Sequence, residues 1–177
     1  MKFDIWEFCR RLNWKPTAEQ VPFLRAAMDP KTRRIGLSEP LGFGAGDVTA
    51  VIALWRMLMV PGCQCFIVTS HPSEARCWMV NAEAIMSQAE PTTHSLFRFA
   101  TDKSGICLTA DKANMGIVAA APGDLAVEAV EKFYGKPITL VMGGFQFIAK
   151  DYIQAAAKLL NSSTQGLWAV ILPRRAA

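Results

Sequence analysis

The chain has 177 residues, 51% of them hydrophobic and 19% charged, with a formal net charge of +4 at pH 7. That length suits one domain with a substantial core, and the composition excludes a disordered or low-complexity chain. Its basic residues fall in scattered pairs (Arg10–Arg11, Arg33–Arg34, Arg174–Arg175), which read as solvated faces, with contact to a phosphate backbone as the alternative.

Phe3 to Leu12 places Phe3, Trp6 and Phe8 or Cys9 at helical spacing, and Asn13-Trp14-Lys15-Pro16 breaks the pattern. Thr17 is the expected N-cap of a second helix, with Gln20 as its capping-box partner and Val21, Leu24 and Met28 as its apolar face. Asp29-Pro30 ends it. Arg33 to Ser38 reads as a short strand, and the glycine-rich stretch Leu41-Gly42-Phe43-Gly44-Ala45-Gly46 leads into a helix over Asp47 to Met59 that is apolar almost all round.

Pro61-Gly62 punctuates the chain before Cys63 to Ser70, a strand whose continuous apolar middle fits a sheet covered on both faces. Pro72 opens a helix to about Gln88. Pro91 to Ala100 gives no clear signal. Gly105 to Thr109 and Met115 to Ala121 read as strands joined by a polar turn, and Pro122-Gly123-Asp124 introduces a helix over Leu125 to Tyr134. A buried strand, Ile138 to Met142, a helix, Asp151 to Leu160, and a strand, Gly166 to Leu172, complete the chain. Alternating strands and helices predict a single α/β domain with a mostly parallel sheet flanked by helices. Residues 1–30 would form a helical N-terminal part and residues 33–177 the α/β core.

The five cysteines (Cys9, Cys63, Cys65, Cys77, Cys107) are odd in number and irregularly spaced, and the N-terminus does not resemble a secretory leader. A reduced, cytoplasmic setting is expected. Cys63 and Cys65 would share one strand face; with His71 and His94 distant, packing is the favoured role and no metal site is expected. The longest apolar run, Val48 to Val60, contains Arg56 and is shorter than the roughly 20 residues of a membrane span, so no membrane association is expected. Adjacent Ser70–His71 and Thr93–His94 do not make a triad, and Glu39 and Glu83 read as cap and surface residues, so no catalytic residue is assigned. Most of the Met and Trp residues read as core, with an exposed interaction patch as the alternative.

Strand, glycine-rich turn and helix is the local architecture of a phosphate-binding P-loop. A working loop follows its last glycine with Lys, for the β- and γ-phosphates, and then Ser or Thr, for Mg²⁺. Here Gly46 is followed by Asp47 and Val48. The alternative reading is a tight strand-to-helix turn that serves backbone packing alone.

Four stretches, in order, resemble the N-terminal ATPase domain of the large terminase subunit of tailed bacteriophages. Trp14-Lys15-Pro16-Thr17-Ala18-Glu19-Gln20 is similar to that family's adenine-recognising segment, with Gln20 as the matching glutamine. Leu41 to Val48 lies at its Walker A loop, Cys65 to Ser70 at the next strand, and Phe133 to Met142 at the approach to its Walker B strand. Gly166 to Pro173 resembles its coupling strand. The resemblance implies Asp-Glu after Met142, where Gly143 and Gly144 stand, and a basic residue within the loop, where Phe43 stands. It also implies that the chain ends where the ATPase domain ends, without a nuclease domain.

On that resemblance the expected nucleotide site comprises Gln20, Gly42, Gly44, Gly46 and Asp47 as a vestige, with no cofactor bound. A carboxylate within about 4 Å of phosphate costs on the order of several kcal/mol at an effective dielectric near 20. The expected function is that of an inactive, terminase-like phage protein in the infected cell. It would bind a protein, either a packaging component or a bacterial host factor, with DNA as a further candidate partner. The alternative is a divergent packaging ATPase in which Lys31, Arg33 or Arg34 supplies the missing positive charge.

Overall fold

The computed structural model describes residues 3–38, 44–69, 72–102, 105–110, 113–119, 135–143 and 150–172. Among them the elements run α1 (Ile5–Arg11), α2 (Val21–Met28), β1 (Arg34–Ser38), α3 (Ala45–Met59), β2 (Gln64–Thr69), α4 (Pro72–Ser87), α5 (Pro91–His94), β3 (Arg98–Asp102), β4 (Gly105–Ala110), β5 (Ala113–Ala119), β6 (Ile138–Met142), α6 (Lys150–Ser162) and β7 (Leu167–Leu172). The strands form one sheet in the order β1-β7-β6-β2-β5-β4-β3. Its first five members are parallel, and β5, β4 and β3 continue it as an antiparallel meander. The expected α/β architecture with a mostly parallel sheet is the observed one.

Strand alternation sorts side chains into two layers. Cys65 and Ile67 of β2, Val141 of β6, and Leu167 and Ala169 of β7 face a core built with α1, α2, α3 and α4. Val68, Leu140, Met142 and Trp168 face the opposite side, where Leu159 and Leu160 of α6 cover them. This explains the unbroken apolar runs: both faces are covered, so neither phase of the alternation can be polar. Helix α3 lies in the first layer with Val51, Ile52, Ala53 and Leu54 fully buried. Truncating a leucine such as Leu54 to alanine would cost about 2–5 kcal/mol.

The N-terminal helices share this core, since Ile5, Phe8, Leu12 and Leu24 belong to the same cluster as α3. Trp55 Nε1 donates to the Phe3 carbonyl at 3.1 Å, and Asn13 Nδ2 donates to the Gln88 carbonyl at 2.7 Å. Asn13 has φ +52, the left-handed conformation that a short polar side chain tolerates best.

Several boundaries differ from expectation. The segment without a clear signal contains a single helical turn and then β3, whose edge position requires only short apolar stretches. Helix α2 begins at Val21, after a turn, and not directly behind Thr17. The helix expected over Leu125 to Tyr134 lies outside the described residues.

Candidate functional site

Because β1, β7, β6 and β2 are parallel, their C-terminal ends line one edge of the sheet. In open α/β sheets ligands bind at that edge. Helix α3 starts there, behind β1, and Gly143 follows β6 at the same edge. One strand, β7, separates β1 from β6, which puts the two expected halves of a phosphate-and-metal site about 10 Å apart.

Gly44 is the N-cap of α3 and adopts φ +66. A Cβ there would lie 3.1 Å from Gln20 Nε2 and 3.2 Å from Asp47 Oδ2. The backbone conformation and the crowding both call for glycine. The same contacts show that Gln20 and Asp47, distant in sequence, converge on one point at the start of α3. Gln20 is buried, and its Oε1 accepts the Thr17 backbone N–H at 3.0 Å. That is the backward half of the expected capping box, so the amide serves the turn before α2 with one end and approaches the glycine loop with the other.

Asp47 sits in the first turn of α3, where its N–H reaches the Gly44 carbonyl at 3.0 Å. Its Oδ1 accepts a short hydrogen bond from Asn81 Nδ2 of α4. A carboxylate at a helix N-terminus is favoured by the aligned peptide dipoles. Asp47 therefore places a negative charge, anchored from the neighbouring helix, at the end of α3 where a P-loop would hold phosphate. Gly46 packs against the same amide, with its Cβ position 3.5 Å from Asn81 Nδ2.

The next hydroxyl along the helix is also engaged. Thr49 is fully buried; its Oγ1 donates within α3 to the Ala45 carbonyl at 2.7 Å and accepts Trp78 Nε1 at 3.1 Å. At the other half of the site, the Gly143 N–H pairs with the Val68 carbonyl at 3.0 Å. A Cβ on Gly143 would meet Thr69 Cγ2 at 3.6 Å, an ordinary contact, so the position has room for a side chain that the sequence does not supply. Among the described residues no group of three or more His, Cys, Asp or Glu side chains could hold a metal ion.

Of the five expected site residues, Gln20, Gly44, Gly46 and Asp47 come together around the start of α3. Gly42 lies outside the described residues, as do Gly144, Ser70, His71 and Glu39. Of the cations Lys31, Arg33 and Arg34, Lys31 is exposed ahead of β1 and the two arginines are engaged away from this edge. Arg33 donates to the Leu160 and Ser163 carbonyls at 2.7 and 2.8 Å, capping the C-terminus of α6, and Arg34 lies over the Trp168 ring at 5.5 Å. Both stand at the opposite end of β1, whose first residue, Arg34, is about 13 Å from its last at the usual rise per residue.

Two participants escape a reading of the sequence alone. Asn81 lies one helical turn beyond Trp78 on α4, so a polar residue at core-facing spacing was the available signal. Arg56 interrupts the apolar run of α3 and is buried: its Nε donates to Thr139 Oγ1 of β6 at 2.7 Å, and its guanidinium bonds the Gln165 carbonyl ahead of β7. Beside it, Cys63 Sγ lies 3.4 Å from Thr139 Oγ1 and 4.0 Å from Cys65 Sγ. The hydrogen bond with Cys65 lowers the Cys63 thiol to about 7 against the effect of burial, with further help from the Arg56 charge. Burial pushes Cys65 in the opposite direction.

No family model and no curated protein matches the sequence. Solved structures do match the fold. The ATPase domain of the large terminase of Thermus phage P74-26 superposes with a TM-score of 0.67 at 12% identity, over 97% of this chain and 70% of that one. The large terminase of bacteriophage HK97 superposes with a TM-score of 0.71 at 17% identity, over 89% of this chain and 33% of that one. The chain thus spans about a third of the HK97 protein's length. These likenesses establish the fold of a phage large terminase ATPase domain. Among the described residues no helix is long and apolar enough to cross a membrane.

Proposed function

We propose that this chain is a terminase-ATPase-like phage protein that no longer hydrolyses ATP and acts by binding another protein. The observation that carries the proposal is the Asp47 carboxylate, held by Asn81 at the N-terminus of α3. Phosphoryl transfer depends on positioning and on cations that neutralise the transferring group. At this site the loop lysine is replaced by an anion and Val48 replaces the metal-ligating hydroxyl. The neighbouring Thr49 hydroxyl is committed to Ala45 and Trp78. Gly143 and Gly144 stand where the metal-binding and water-orienting acids would be.

Gln20, Gly44, Gly46 and Asp47, with Gly42, are on this reading a vestigial nucleotide site that retains its turn geometry. Arg33 and Arg34 do not compensate, because each is engaged at the far end of β1. On this proposal the candidate partners are packaging components such as the portal or the active terminase, a reading supported by the fold likeness to large terminases, with DNA or a host protein as alternatives. Val80 on α4 is 54% exposed beside an open groove lined by Gly46, Cys77 and Asn81, which favours α4 as the contacting face.

Thermal melting with and without saturating Mg-ATP, paired with a phosphate-release assay, tests the proposal. The expected result is no shift and no turnover. Saturating ligand at a hundredfold excess over its Kd would stabilise the fold by about 2.7 kcal/mol. A shift of that size accompanied by steady hydrolysis would overturn the proposal in favour of a divergent packaging ATPase.

A further inference from the structure

At the opposite edge of the sheet, the buried group around Arg56 has a composition that packing alone does not require. We propose that Cys63 and Cys65, with Arg56 beside them, form a clamp for one soft monovalent cation of the copper(I) class, bound between the two thiolates. The thiols are buried and their sulfurs lie 4.0 Å apart. A linear two-coordinate ion with metal–thiolate bonds of roughly 2.3 Å needs about 4.6 Å between sulfurs, an adjustment of about 0.6 Å shared by two side chains. Thiolate ligands select soft ions of this kind.

Charge decides between candidate metals. Binding releases to solvent whatever protons the two sulfurs still carry, so a monovalent ion between two thiolates leaves one net negative charge. Arg56 supplies the matching positive charge in the same buried space, where it lies beside Thr139, the Gln165 carbonyl and the Cys63 thiol and where among the described residues no carboxylate pairs with it. A buried charge is tolerated when it is paired. A divalent ion such as zinc would neutralise the thiolates itself and leave Arg56 uncompensated. It would also need two more protein ligands, and no third His, Cys, Asp or Glu joins the pair among the described residues.

The test is an anaerobic titration of the folded protein, carrying Cys77→Ser and Cys107→Ser, with copper(I) against a competing chelator. One equivalent is expected, with X-ray absorption reporting two sulfur neighbours and nothing else in the first coordination sphere. Cys63→Ser or Cys65→Ser should abolish binding at that competitor concentration. Arg56→Met should weaken it about tenfold or more, the range typical of groups that support metal ligands. Circular dichroism checks that each variant folds; if a cysteine variant does not, the sulfur count in the folded parent still decides. Binding that survives Cys63→Ser and Cys65→Ser made together, a coordination sphere without two sulfurs, or displacement by equimolar zinc would overturn the proposal.

Discussion

Asn81 donates its side-chain amide to the Asp47 carboxylate across the contact between α4 and α3. This bond fixes where the negative charge at the start of α3 points. Asn81→Ala should lower unfolding free energy by about 1 kcal/mol, discounted from the value for a fully buried bond to a charged group because Asp47 is half-buried. Urea denaturation would measure it. Asp47→Asn should be milder, because an amide can still accept from Asn81 and only the interaction with the helix dipole is lost.

Restoring one cation should not restore chemistry. Asp47→Lys is expected to show no phosphate release above background, since Gly143 and Gly144 supply no acid for a metal. The space at Gly143 allows a sharper version of this experiment: Gly143→Asp should fold, with a melting temperature close to that of the parent, because its Cβ meets only an ordinary contact. Appreciable turnover in the single Asp47→Lys variant would show that the metal site lies elsewhere.

The glycine at 44 should resist substitution. Gly44→Ala combines a left-handed backbone with two close contacts, to Gln20 and Asp47, and is expected to cost at least about 1 kcal/mol. Gly46→Ala, in the first turn of α3 with only an ordinary contact to Asn81, should be close to neutral or slightly stabilising. Comparing the two by chemical denaturation separates a conformational requirement from one of space.

The bond between Arg56 and Thr139 should show strong non-additivity. Thr139→Val leaves the Arg56 Nε buried without that acceptor and is expected to cost about 1–3 kcal/mol. With Arg56→Met already in place, the same valine should cost much less, because no buried donor is then stranded. A double-mutant cycle on unfolding free energies gives the coupling directly.

Stability should rise and then fall with alkaline pH. The Cys63 thiol is lowered to about 7, so the folded state loses its proton first and stability is gained as pH rises from 7 towards the ordinary value of 9. Conversely, that contribution is lost as pH falls through 7. Cys9 behaves oppositely: burial raises it to about 12, so its contribution is intact below pH 9 and declines between 9 and 12. Burial of Cys65 acts in the same sense as that of Cys9. Denaturation midpoints measured from pH 6 to 11 should peak near 9, and Cys63→Ser should remove the rising limb.

Much of this was legible in the residues. The runs around Ile67, Leu140 and Ala169 identified strands covered on both faces, and the glycines before Asp47 marked the turn into α3. What periodicity could not provide was the pairing of side chains between elements. Asn81 is unremarked on α4 until α3 lies against it, and Arg33 and Arg34 pass as candidate site cations until α6 and Trp168 claim them. Strand β3 escapes periodicity for a related reason: Arg98 to Asp102 forms an edge, where a strand is specified by its neighbour more than by its own pattern. The turn before α2 also held back its helix, because the Gln20 side chain bonds the Thr17 N–H and satisfies a donor that would otherwise favour an earlier start.

Helix α3 is fastened at both extremities, by Asn81 at its first turn and by Thr139 and Gln165 at its last. A beam bolted to a neighbouring helix at one end and to the sheet at the other has little freedom to slide or pivot when something arrives at its tip. The mechanical stroke of a motor needs such freedom, whereas a surface that must present the same contour at every encounter gains from its loss.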